Sequence, residues 1–127
     1  MNDKERHAAG MKVRRAVLGV AHVARAEAGL SDFNRDFQDF ITRTAWGDVW
    51  SRPGLDRNTR SLLTLSMMIA LSREEEFVMH VHAAFNNGVA RDEIKELILH
   101  SAIYCGLPAA NNAMRWAESA FAAADEP

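Results

Sequence analysis

The stretch NNGVARDEIKELILHSAIYCGLPAA, residues 86–110, decides the fold. Its punctuation is helical. Gly88 suits the C′ position that closes one helix. Asp92 and Glu93 fall in the first turn of the next, where the helix dipole favours acids. Ile94, Leu97, Ile98, Ala102 and Cys105 recur at three- and four-residue spacing and so form one apolar stripe. Gly106 stops that helix, and Pro108 sits well at the N1 position of another. Nothing here alternates with the period of a strand.

The same grammar extends outward. Downstream, Ala110, Ala113, Met114, Ala117, Phe121 and Ala124 mark the apolar side of a last helix. Upstream, Ser72-Arg73-Glu74-Glu75 matches the S-x-x-E capping box and predicts a helix from Ser72 to Gly88. Asp56 is a suitable N-cap for a helix through Leu71. Apolar residues surround much of that helix, which predicts a central position. WGDVWSRPG (46–54), with two glycines and a proline, reads as an ordered non-helical loop. Phe33, Phe37, Phe40 and Ile41 define an earlier helix capped by Ser31 or Asp32. Val13, Val17, Val20 and Ala24 define the first, over residues 8–28, with Gly29 as its stop. The expected fold is all-α, a bundle of about six helices. It forms one domain over residues 1–127, with a polar tail at about 1–7 and a short one at about 124–127.

Composition narrows the function. Hydrophobic residues make up 48% and charged residues 25%, values of an ordinary globular chain. A net charge of -2 offers no basic excess for a nucleic acid or an acidic membrane surface. One cysteine, Cys105, allows neither an internal disulfide nor a CxxC redox pair, and suits a reducing cytoplasm. The N-terminal residues lack an apolar signal core, and SLLTLSMMIAL (61–71) is too short to span a bilayer. The apolar surface of the helix ending at Leu71, and that of the alanine-rich last helix, exceed what short neighbours cover. Both point to an oligomer.

Titratable groups concentrate in EEEFVMHVH (74–82). Positions 76, 80, 83 and 87 form a stripe about 100° from the core stripe 77, 81, 84 and 85. Glu76 and His80, one turn apart, therefore lie at the edge of the buried face. A carboxylate beside an imidazole fixes its tautomer and keeps a proton available near neutrality, as general acid–base work requires. The same pair also reads as an ordinary surface i,i+4 contact. A metal site built on Glu76, His80 and His100 lacks the HExxH pattern and a third ligand set by spacing, so no metal is expected. His82 points about 200° away from His80. Arg52, Arg57 and Arg60 cluster near the next helix start, and a guanidinium is a natural fork for a carboxylate ligand. Arg60 needs a partner, an internal acid or a substrate acid. Trp46 and Trp50 suit a pocket wall or the seal of a core edge. No GxSxG, Walker or GxGxxG motif is present.

In order along the chain, WGDVWSRPGLDRNTRSLLTLSMMIAL (46–71), E-x-x-x-H (76–80) and AAFNNGVARDEIKELILHSAIYCGLPAANNAMRWA (83–117) resemble the carboxymuconolactone decarboxylase family. The likeness spans roughly residues 12–122 and is most specific over 86–110. It implies an AhpD-like all-helical fold. The alkylhydroperoxidases of that wider group carry a CxxC upstream of the histidine matching His80. Arg73 and Glu76 occupy those positions here, which removes thiol peroxidase chemistry. The resemblance implies cofactor-free decarboxylation of 4-carboxymuconolactone, a small lactone dicarboxylate, by a homo-oligomer, commonly a hexamer of two trimers. Under it Glu76 and His80 become the expected catalytic pair, with Arg60, Arg52 and Trp46 expected to hold substrate. Two alternatives stay open: another small lactone or keto acid as substrate, and a non-catalytic helical oligomer.

Overall fold

A computed structural model of the chain describes residues 1–127, all helix and connection with no strand. The helices are α1 (Asp3–Leu18), α2 (Val20–Ala28), α3 (Arg35–Ile41), α4 (Arg57–Leu71), α5 (Glu74–Asn86), α6 (Arg91–Cys105) and α7 (Leu107–Ala124). A π-helical stretch, Thr42–Val49, continues α3. Helical order starts at Asp3, where the Asn2 side chain caps the first turn by accepting from the Glu5 N–H at 2.8 Å. The chain divides into two units, residues 1–57 and 58–127.

In the first unit the expected single helix over 8–28 is two. Gly19 stands between them at φ 97°, a backbone that a side chain would strain. The expected loop at 46–54 is corrected over 46–49 and holds over 50–54. Residues through Val49 remain helical in the wider π register, and Trp50 N–H still bonds the Ala45 carbonyl, five residues back. Two threonines accompany the change. Thr42 Oγ1 donates to the Gln38 carbonyl at 2.8 Å and Thr44 Oγ1 to that of Phe40 at 2.6 Å. Such back-bonding bends a helix and loosens its ladder. Gly47, read as a breaker, serves a close approach instead. A Cβ on Gly10 would sit 2.1 Å from the Thr42 carbonyl oxygen, and one on Gly47 would sit 2.9 Å from that of Arg6. The backbones of α1 and the π stretch therefore touch. Arg6 braces this crossing with both Asp48 oxygens, at 3.2 and 2.5 Å. Arg14 donates to Thr42 Oγ1 and Gln38.

The second unit has the larger apolar core. Leu65 and Ile69 of α4, Phe77 and Val81 of α5, and Ile94 and Ile98 of α6 are all at most 2% exposed. Small residues of α7, Ala113, Ala117 and Ala120, allow helices to come close, while Trp116 meets the Phe77 ring at 5.7 Å between centroids. The ends of α5 and α6 follow the sequence. Val89 N–H bonds Ala84 O and Gly88 N–H bonds Phe85 O, the paired bonds of a Schellman stop with Gly88 at φ 80°. Glu93 reaches back to the Ala90 N–H at 2.9 Å.

The predicted capping box at Ser72 is not formed. Ser72 has φ 57° and closes α4: its N–H bonds Ile69 O, and the Arg73 N–H bonds Met68 O. A residue spent on a left-handed stop cannot cap the next helix, and α5 begins with no side-chain cap. Nor is α4 central. It buries one row, Ser61, Leu65 and Ile69, and leaves Leu63, Met67 and Leu71 at 44%, 56% and 63% exposure. Leu99, Ile103, Tyr104 and Leu107 are exposed as well. At the far end Arg91 holds both Asp125 oxygens, at 3.2 and 2.5 Å, and lies over the Phe121 ring at 4.7 Å.

Two predictions follow from this packing. Gly10→Ala forces apart two backbones in contact, and overpacking of this kind costs about 3 kcal/mol. Thermal unfolding should register it as a fall on the order of 10 °C; an unchanged midpoint would contradict the crossing. The hydrogen bonds from Arg91 and Arg6 hold the carboxyls of Asp125 and Asp48 below the ordinary carboxylate range. A depressed folded pKa gives stability that is present above the unfolded value and lost as pH falls through the folded one. Asp125→Asn should therefore flatten the acid-side fall in melting temperature. Parallel curves for variant and wild type would remove the pair from acid sensitivity.

Candidate functional site

The stripe Glu76–His80–Ala83–Asn87 on α5 is graded from wet to dry. Glu76 is exposed, His80 half-buried, Ala83 buried and Asn87 half-buried. The cause is the neighbouring core stripe. Phe77, Val81 and Ala84 are completely buried, and the 100° offset then leaves His80 at the margin of the core. Glu76 lies four residues before His80, the spacing that makes two side chains neighbours on a helix. It also shares the first turn of α5 with Glu74 and Glu75, where the dipole welcomes all three.

Arg60 occupies the second unit too, half-buried in the first turns of α4. Helix energetics alone do not favour it there. Asp56 precedes the helix, Arg57 opens it and Arg60 is its fourth residue, with no acid inside the first turn. Such an end attracts anions, through the guanidinium fork and through backbone N–H groups.

The start of α4 is tied to the end of α5. Asn87 Nδ2 donates to Ser61 Oγ at 2.9 Å, and Asn58 Nδ2 donates to the Gly88 carbonyl at 3.3 Å. Ser61 is fully buried. These two bonds flank Arg60 in sequence. Neither Ser61 nor Asn87 stood out as a candidate, although Asn87 falls on the stripe that singled out Glu76 and His80. The stripe gives its direction; its partner requires the hairpin register.

The other two candidates belong to the first unit. Trp46 is buried in the π stretch, its ring 5.2 Å from that of Trp50. Arg52 is exposed, just past that stretch. Two open grooves lie elsewhere on the second unit. One of about 730 Å³ runs between α4 and α6, with Leu62, Leu97, Glu96 and His100 in its walls. Another, about 630 Å³ and mostly apolar, runs between α6 and α7 past Leu99, Leu107 and Met114.

Comparison with known proteins adds an independent line. The profile of the carboxymuconolactone decarboxylase family matches residues 35–119, a span that includes Trp46, Arg52, Arg60, Glu76 and His80. A 4-carboxymuconolactone decarboxylase of Acinetobacter baylyi is 59% identical over 121 residues, covering 95% of this chain and 90% of the relative. A nitrosuccinic acid decarboxylase of Metarhizium robertsii is 49% identical over 105 residues, covering 83% of this chain and 73% of the relative. A 4-carboxymuconolactone decarboxylase sequence of Pseudomonas putida is 60% identical over 48 residues, all of that sequence and 38% of this chain. By this profile and these identities, the chain belongs to the carboxymuconolactone decarboxylase family.

Proposed function

We propose that this chain decarboxylates 4-carboxymuconolactone to 3-oxoadipate enol-lactone, a step in the breakdown of protocatechuate. The observation that carries the reading is the 59% identity over 95% of the chain with a decarboxylase named for that substrate. The chemistry suits residues of the second unit. The substrate is a butenolide whose ring carbon bears a carboxylate and an acetate arm. Breaking the bond from ring carbon to carboxylate releases CO2 and leaves its electron pair on the ring. The pair delocalises through the ring alkene to the lactone carbonyl oxygen. The substrate thus supplies its own electron sink, and the reaction calls for no cofactor.

Three tasks fall to the protein. Arg60 grips a carboxylate of the dianion by its planar fork. A hydrogen-bond donor stabilises the charge developing on the dienolate oxygen. His80, steered by Glu76, then delivers a proton to the ring carbon beside the carbonyl, giving the enol-lactone. His80 at the core margin suits this role, since the ring is partly sheltered yet can regain its proton from solvent. The 49% identical relative named for nitrosuccinic acid favours a second reading, the same scaffold acting on another small acid. That compound, like the lactone, is a dicarboxylic acid with an electron-accepting group on a carbon that bears a carboxylate.

The reading includes a homo-oligomer, a hexamer of two trimers. Its support is the apolar row Leu63, Met67 and Leu71, together with Leu99, Ile103 and Leu107, more exposed apolar surface than a lone small chain usually shows. It also places the enzyme in the cytoplasm, in keeping with the single free thiol of Cys105. No helix is long and apolar enough to cross a membrane.

Ultraviolet absorbance and CO2 release with 4-carboxymuconolactone test the activity, and nitrosuccinate run in parallel tests the second reading. His80→Ala should lower turnover on the order of 10²-fold or more, and Arg60→Lys should raise KM through loss of the bidentate grip. Near-wild-type turnover in a folded His80→Ala protein would remove His80 from the mechanism, and an unchanged KM would make Arg60 structural. Sedimentation should give a particle of about six times the 14.2 kDa chain mass; a monomer at micromolar concentration would overturn the assembly.

A further inference from the structure

We infer that Asn87 is a positioning residue for this reaction: through Ser61 it fixes the first turns of α4, and with them Arg60, against the helix that carries His80. The inference rests on the decarboxylase reading above.

Asn87, the residue that follows α5, lies seven residues beyond His80, about two turns or 10 Å along the helix axis at 1.5 Å per residue. Its amide donates to Ser61 Oγ at 2.9 Å. Ser61 adjoins Arg60 and is fully buried, on the same row as Leu65 and Ile69. Alanine has the higher helix propensity at that position, so the serine is not there for the helix itself. The hydroxyl has a directional use instead. Leu65 and Ile69 meet Phe77 and Val81 in one apolar cluster, and such contacts tolerate small slides. A 2.9 Å hydrogen bond does not, because its strength falls steeply with distance and angle. The Asn58 bond to the Gly88 carbonyl, at 3.3 Å, adds a second tie on the other side of Arg60.

The sequence joins α4 to α5 through only Ser72 and Arg73, which anchors one end of the hairpin. Arg60 and Asn87 lie at the opposite end. There the separation of the two helices depends on side chains, and the Asn87–Ser61 and Asn58–Gly88 bonds bridge it. The carboxylate grip at Arg60 and the proton at His80 must serve one small substrate. A shift of the first turns of α4 moves the Arg60 fork off the carboxylate it grips, and loss of bidentate geometry weakens binding first.

Steady-state kinetics on the full-length enzyme test this, with Asn87→Ala, Ser61→Ala, their double variant, and each single change in an Arg60→Ala background. Ser61→Ala is the fold-safe arm, since alanine fills the buried site without disturbing the helix. The expected result is a rise in KM of about tenfold in each single variant, with kcat changed far less and its pH profile unmoved. The double variant should match the singles, and neither change should add to Arg60→Ala, because groups acting as one unit are not additive. A KM at the wild-type value in Ser61→Ala would overturn the inference. So would the same multiplicative loss with and without Arg60, which marks a general loss of structure. A wild-type enzyme with no turnover removes the decarboxylase reading and this inference with it. An active wild type sensitive at Arg60 but indifferent at Ser61 and Asn87 removes the inference alone.

Discussion

The burial of Phe77, Val81 and Ala84 fixes the direction of every other residue on α5. All three are fully enclosed, so the helix cannot rotate about its axis without exposing aromatic and branched side chains. Removing a side chain such as Phe or Val from its burial costs about 1.5–3 kcal/mol, more than a surface Glu–His pair returns. The histidine therefore does not choose its own orientation. It is held at the core margin by the packing of residues that take no part in chemistry. A side chain held this way borrows the rigidity of the core, which is why helices suit precise constellations.

The connections determine how far that rigidity extends, and they differ in how openly the sequence declares them. Gly88, Gly106 and Pro108 were legible because each has one physical use: a positive φ at the glycines, a missing donor at the proline. Asp92 and Glu93 were legible for the same reason. Ser72 was not. A serine followed three residues later by glutamate spells a helix start, but the same serine can adopt the left-handed angle that ends the preceding helix. Two local solutions competed, and the six-residue bond closing α4 prevailed over a side-chain cap for α5. Gly19 was hidden differently, inside a run whose apolar spacing continues on both sides of it. Two helices joined by one residue leave no gap in the pattern.

The π stretch shows where periodicity itself fails as a guide. Trp46, Gly47 and Trp50 look like loop residues when the only helix considered has 3.6 residues per turn. In the wider register they pack, and Gly10 and Gly47 let two backbones meet where any side chain would keep them apart. The central position expected for α4 failed for the opposite reason. An apolar surface all round a helix says that something must cover it, and leaves open whether the cover belongs to the same chain. Here the fully covered row is narrow, Leu62 and Met68 are half-covered at its margins, and Leu63, Met67 and Leu71 face outward.

The candidate site was legible in part, and its residues do not carry equal weight. Glu76 has two features: it stands one turn before His80, and it shares with Glu74 and Glu75 a first turn where acids stabilise any helix. Its presence alone therefore discriminates little between a catalytic and a structural role. Arg60 is different. It is the fourth residue of α4, after Arg57, with no acid inside the first turn and so no reason from the dipole to be a cation. In a chain with net charge -2, holding a dianion requires positive potential to be concentrated at one place rather than spread over the surface. The proposed role of Arg60 would meet that requirement at the start of α4, where Arg57 stands one turn before it, and a cation that its own helix gives no reason for says more about function than an acid that any first turn would accept.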